Sequence, residues 1–95
     1  MTYYVKLGIY IINMKLIKFY TQTCNPCKVM KPIIEKLVSN HPEITEYVEI
    51  DCTEGVPDEW AQTVRNVPTV LIIKEDAPNE KAVGIKTYEY LESLL

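Results

Sequence analysis

The spacing of apolar and polar residues changes period several times along the chain, and each change marks an element. Residues 15–20, KLIKFY, form a short run of high β-propensity and predict a strand, after which TQT turns the chain. From Pro26 onward Val29, Met30, Ile33, Ile34, Leu37 and Val38 recur at i, i+1, i+4, i+5, i+8 and i+9. That is the stripe of an amphipathic helix, with Lys28, Lys31, Glu35 and Lys36 on its wet side. Pro26 suits the first helical turn, where a missing N–H costs nothing, whereas Pro32 falls inside and predicts a kink. SNHPE ends the helix. YVEID at 47–51 reads as a strand, and VPDEWAQTV as a short helix with Pro57, Asp58 and Glu59 in its first turn. TVLIIK at 69–74 is a β-branched run, and EDAPNE turns it into KAVGI at 81–85. Thr87 is placed to cap a last helix that turns Tyr88, Leu91 and Leu94 or Leu95 inward.

The order is β-α-β, then α, then β-β-α. A strand, a helix and a next strand imply a right-handed parallel crossover, while the EDAPNE connection suits an antiparallel hairpin. The expected fold class is α/β: one mixed four-stranded sheet with helices on both faces. Residues 14–95 complete this plan. Residues 1–13 are therefore expected to be an N-terminal extension: an extra edge strand, which the β-propensity of YYVKLGIYII permits, or a non-native start, with Met14 as the natural one.

Ninety-five residues bound the chain to one domain with a modest core. The net charge of −3 and the lack of a basic block argue against nucleic-acid binding. No apolar run approaches the roughly 20 residues that span a bilayer. The apolar N-terminus lacks a basic start, is interrupted by Lys6 and has no small-residue cleavage site, so a cytoplasmic protein is expected. Three cysteines, an odd number, argue against a disulfide scaffold.

Two of those cysteines, Cys24 and Cys27 in TQTCNPCKVMKP, stand three apart. A structural zinc site usually has four ligands, but the only further candidates are Cys52 and His41, at no usual pairing, so no metal is expected. Redox chemistry fits better. Cys24 precedes the helix and Cys27 lies in its first turn, where the helix dipole and free N–H groups favour a thiolate, with Lys28 adding a positive charge. Cys27 shares the stripe of Met30 and Ile34 and should be buried, while Cys24 sits before it at the tip. An exposed thiolate beside a shielded one is what thiol–disulfide exchange requires.

With these residues in view, segment 14–95 resembles the thioredoxin family. CNPCK is similar to its Cys-Gly-Pro-Cys-Lys, Pro32 to its helix-kinking proline, NVPTVLII to the segment carrying its cis-proline, and Gly84 to the glycine before its last helix. The resemblance implies a small dithiol–disulfide oxidoreductase that reduces protein disulfides, with Cys24 as nucleophile and Cys27 as resolving thiol. It implies a substrate groove formed by Asn25, Pro26, Val67 and Pro68, the last after a cis bond that leaves the Val67 backbone free for an extended substrate. No cofactor beyond the Cys24–Cys27 disulfide is implied. Thioredoxin reductase or glutathione would supply electrons, and a monomer is expected.

The chain departs from the family at three places. Thr23 stands where thioredoxins carry a tryptophan, Asn25 where they carry a glycine, and Lys18 where they carry a buried acid, so IKFYTQTC is closer to glutaredoxin-like small thioredoxins. Lys18 shares a strand face with Leu16 and Tyr20. Its ammonium either snorkels to water or lies beneath the cysteine pair, where it would tune the thiolates. A glutathione-dependent reductase, and a non-catalytic binding module or zinc protein, are the alternative functions. Trp60, with Val64 at i+4, reads as core, His41 as a helix C-terminal cation and Cys52 as a small buried hydrophobe.

Overall fold

The computed structural model describes residues 3–6, 9–75 and 77–95, with 3–6 and 9–12 described by their backbone alone. Strands β1 (Tyr3–Lys6) and β2 (Ile9–Ile12) pair antiparallel with each other as a separate two-stranded sheet. The rest of the chain runs β3 (Met14–Tyr20), α1 (Asn25–Asn40), β4 (Ile44–Asp51), a 3-10 turn (Asp58–Trp60), β5 (Thr69–Lys74), β6 (Glu80–Val83) and α2 (Tyr88–Ser93). Its four strands form one mixed sheet in the order β4-β3-β5-β6. The central β3 is parallel to β4 and antiparallel to β5, and β6 closes the far edge antiparallel to β5.

Alternation along β3 builds a core on each side of the sheet. Leu16 faces α1 and α2, packing with Met30, Ile34 and Leu37 of α1, Val70 and Ile72 of β5, and Leu91 of α2. Ile17 and Phe19 face the other way, against Cys52, Val64 and Leu71, with Trp60 and Val48 packed beside them. Fully burying a side chain of this size contributes roughly 1.5–3 kcal/mol, so the two faces together fix β3 at the centre. The sheet thus carries α1 and α2 on one face and segment 52–67, with its 3-10 turn, on the other.

The caps follow local chemistry. Cys24 is the N-cap of α1, and Thr87 Oγ1 accepts a hydrogen bond from Tyr90 N at 3.0 Å to cap α2. The expected last helix accordingly buries Leu91, with Tyr88, Leu94 and Leu95 packed at its margin.

Three boundaries differ from the sequence reading. β4 begins at Ile44 rather than 47, because Met14 and Lys15 pair with Ile44 and Glu46 and recruit a stretch whose exposed Thr45 and Glu46 hid the strand. β6 ends at Val83 because Gly84 turns the chain at φ +87°, a conformation that favours glycine. The expected short helix over 56–64 is only a 3-10 turn: Trp60, Ala61 and Thr63 each donate to the carbonyl three residues back. The β-branched Thr63 and Val64 do not favour continuation, and Val67 is restricted by the proline that follows.

Candidate active site

The site is assembled at one end of the sheet. β3 ends at Tyr20, and residues 21–23 carry the chain to Cys24 at the head of α1. Tyr20 O accepts a hydrogen bond from Cys52 N at 2.6 Å, tying this end of β3 to the segment that follows β4. Pro68 immediately precedes β5, whose first residue, Thr69, is paired with Phe19 near the same end of β3. Gly84 N donates to Pro68 O at 2.9 Å. The Val67–Pro68 peptide bond is cis, as the resemblance implies.

Cys24 and Cys27 are joined in a disulfide, with Cα atoms 5.2 Å apart, inside the span such a bond bridges. The predicted asymmetry is present: Cys27 is 3% exposed, whereas Cys24 is half-buried at the helix tip. Cys27 N donates to Cys24 Sγ at 3.1 Å, so the first turn of α1 directs an N–H at the outer sulfur. An N–H at that position stabilises negative charge on Cys24. Asn25 and Pro26 lie exposed in the same turn, Val67 is half-buried, and Pro68 is buried.

Lys18 is buried, with 4% of its side chain exposed. It pairs with the Glu49 carboxylate at 2.7 Å and lies 5.1 Å from the centre of the Tyr20 ring. Glu49 stands opposite Lys18 in the β3–β4 register, and Tyr47, two residues earlier on the same strand face, donates its hydroxyl to Glu49 at 3.0 Å. The hydrogen bond from Lys18 holds the Glu49 carboxyl below its ordinary range, and burial, with Glu49 beside it, pushes the Tyr47 phenol up. Lys18, Glu49 and Cys27 all line a cleft of about 220 Å³ on the β4 side of the cysteine pair, with Lys28 and Lys31 also on its wall.

Glu49 and Tyr47 are functional candidates that the sequence reading did not single out. The available signal was a carboxylate flanked directly by the apolar Val48 and Ile50. The other singled-out residues lie apart from the pair. Trp60 packs edge-on against Phe19 with ring centroids 5.5 Å apart, on the face opposite α1. Cys52 is a free, buried thiol in that same cluster, and burial pushes its pKa up. His41 caps the far end of α1, about 20 Å along the axis from Cys27, between Glu92 at 2.9 Å and Glu43 at 3.5 Å. The set Cys24, Cys27, Cys52 and His41 is therefore scattered, and no group of three metal-ligating residues occurs among the described residues.

A disulfide between a buried and a half-buried cysteine at the head of a helix, at the end of the sheet that also carries a cis-proline, defines a dithiol–disulfide oxidoreductase. The thioredoxin family model matches residues 10–95, and the chain belongs to the thioredoxin family. It is 28% identical over 83 residues to a thioredoxin of Staphylococcus epidermidis, covering 87% of this chain and 80% of that one. The structure is similar to spinach chloroplast thioredoxin f, with a TM-score of 0.72, 28% identity, and coverage of 87% and 74% of the two chains. It is also similar to a chain from a complex of ferredoxin:thioredoxin reductase and thioredoxin f2, with a TM-score of 0.71, 27% identity, and coverage of 85% and 73%. The Cys24–Cys27 pair thus carries thiol–disulfide oxidoreductase chemistry on protein disulfides.

Proposed function

We propose that Cys24 is the attacking thiolate and Cys27 the resolving thiol in the reduction of protein disulfides. The observation that carries this assignment is the difference in burial within one disulfide, together with the Cys27 N–H directed at Cys24 Sγ. Cys24 attacks one sulfur of the substrate disulfide and releases the other as a thiolate. Cys27 then gives up its proton and attacks Cys24 Sγ, releasing the second substrate thiolate and leaving the Cys24–Cys27 disulfide. Two electrons pass from the dithiol to the substrate, and the disulfide itself is the only redox group the cycle uses.

Asn25, Pro26, Val67 and Pro68 form the substrate groove in this reading. Among the described residues no backbone hydrogen bond involves Val67, which supports its pairing with an extended substrate segment. Lys18 and Lys28 tune the thiolates, Lys18 from beneath the Cys27 side of the cleft and Lys28 from the helix surface. A protein reductase recharges the disulfide; the similarity to a chain captured with ferredoxin:thioredoxin reductase supports that over glutathione. The chain works as a monomer in the cytoplasm, where the reducing pool keeps Cys52 a free thiol. Residues 1–13 are an appendage to the 14–95 domain, supported by the separate pairing of β1 and β2.

Reduction of insulin by the protein with dithiothreitol as electron source tests the reading. Turnover above the dithiothreitol background is expected; its absence in the folded protein would leave a non-catalytic module. Replacing dithiothreitol with a thioredoxin reductase and NADPH, or with glutathione, then separates the donors.

A further inference from the structure

Where the β3–β4 ladder ends, with Cys52 N donating to Tyr20 O at 2.6 Å, side chains take over the pairing of the two chain segments. Each strand runs into a hydrogen-bonded turn. Cys24 N closes the turn Thr21–Cys24 on Thr21 O at 3.3 Å, and Gly55 N closes Cys52–Gly55 on Cys52 O at 2.9 Å. The second residues of these turns, Gln22 and Thr53, meet. Gln22 N donates to Thr53 Oγ1 at 3.0 Å, and Gln22 Nε2 donates to Asp51 Oδ2 at 2.8 Å. Asp51 Oδ1 in turn accepts from Thr53 Oγ1 at 2.6 Å and from Thr53 N at 2.9 Å. The ring is closed, and it is anchored on a charge. Hydrogen bonds from the Thr53 hydroxyl and the Gln22 amide hold the Asp51 carboxyl below its ordinary range, so it is a carboxylate at neutral pH. Bonds to an ionised acceptor are the stronger kind, which suits a ring whose three residues are all exposed.

The turn held in this way ends on Cys24. That residue is the N-cap of α1, and its Sγ accepts the Cys27 N–H at 3.1 Å. The bond depends on where residues 21–24 set the Cys24 backbone against the first turn of the helix. We propose that Asp51 and Thr53 are positioning residues for disulfide reduction: through Gln22 they fix the 21–24 turn and so keep Cys24 Sγ on the Cys27 N–H, where it is stabilised as the attacking thiolate. This rests on the assignment of Cys24 as nucleophile above. The balance of the reaction is unchanged: two electrons still pass from the Cys24–Cys27 dithiol to the substrate disulfide, and the ring only orients the sulfur. Losing one such hydrogen bond shifts an equilibrium by about twofold to tenfold, which sets the size of the effect.

The test is alkylation of the reduced protein by iodoacetamide, with Cys24 modification followed by mass spectrometry, beside dithiothreitol-driven reduction of insulin. Thr53→Val keeps shape and charge and removes the hydroxyl. It is expected to slow Cys24 alkylation at about pH 7 by about twofold to tenfold. The difference should close near pH 10, above the ordinary thiol pKa of about 8.5, where the thiolate is complete in both proteins. Thr53→Ser should return the wild-type rate. Asp51→Ala removes the anchor together with a negative charge, a loss that by itself would favour thiolate and speed the reaction; slower alkylation at about pH 7 is expected instead. Insulin reduction should fall in the same order. Thr53→Val that alkylates like wild type, or is slower by the same factor at both pH values, overturns the positioning role and spares the reductase reading. So does faster alkylation of Asp51→Ala, or a Thr53→Ser rate as low as that of Thr53→Val. No reduction of insulin by the folded wild type ends both.

Discussion

Lys18 and Glu49 face each other across the β3–β4 pairing, Nζ to carboxylate oxygen at 2.7 Å, with only 4% of the Lys18 side chain exposed. In thioredoxins a buried acid occupies the Lys18 position; here the carboxylate stands on the neighbouring strand and the cation takes the central one. A buried ammonium without a partner is costly, so Glu49 is what allows Lys18 to remain there.

Removing one partner should therefore cost more than removing both. Glu49→Gln is expected to destabilise the protein by about 2 kcal/mol, below the roughly 3–5 kcal/mol of a fully buried pair because Glu49 is partly exposed. Lys18→Met/Glu49→Gln should recover much of that loss. Denaturant unfolding of the cycle checks it; additive losses would mean the pair is not coupled.

The same pair sets an acid limit. Lys18 holds the Glu49 carboxyl below its ordinary 4.5, so the folded state binds its proton less readily than the unfolded chain. The contribution is fully present above about pH 4.5 and is lost as pH falls through the folded value. Glu49→Gln should flatten the stability profile in that acidic range. An unchanged slope would contradict the assignment.

Lys18 should also tune the redox pair. Its charge favours thiolate over disulfide, so Lys18→Met is expected to move the potential to more negative values. A full pKa unit would correspond to about 30 mV, and the shift should be smaller because Glu49 offsets the charge. Glu49→Gln should move the potential the other way. Equilibration of each variant with glutathione measures both, and identical potentials would mean Lys18 serves packing alone.

Cys52 is expected to be inert. It is 6% exposed, and burial raises its thiol pKa, which keeps it protonated near neutrality. Cys52→Ser should leave insulin reduction near wild type, and alkylation of the native reduced protein at pH 8 should modify Cys24 before Cys52. Rapid labelling of Cys52 would make it a reactive thiol.

A chain beginning at Met14 should fold and reduce insulin normally, since the four-stranded sheet is complete without β1 and β2. A substantial fall in melting temperature would show that residues 1–13 stabilise the domain.

What could be read from the sequence was what local chemistry determines. The helix stripe, the Thr87 cap and the placement of Cys24 and Cys27 each depend on residues within one or two turns, and Pro68 was placed by its motif. The Lys18–Glu49 pair was not readable, because it depends on the register of two strands separated by a whole helix. Ile44–Glu46 looked too polar for a strand until pairing with β3 supplied its partners. Segment 56–64 carried helix-start residues, yet its anchors Val56, Trp60 and Val64 are set by the sheet face they cover rather than by helical propensity.

The division of labour between Cys24 and Cys27 is the centre of this account, and trapping tests it directly. Reduced Cys27→Ser and Cys24→Ser variants would each be mixed with a protein disulfide substrate, and the covalent products mapped by mass spectrometry. The expected result is a mixed disulfide that accumulates through Cys24 in Cys27→Ser, with no comparable product from Cys24→Ser. A stable adduct through Cys27, formed as fast in Cys24→Ser, would reverse the roles and contradict the reading of the site.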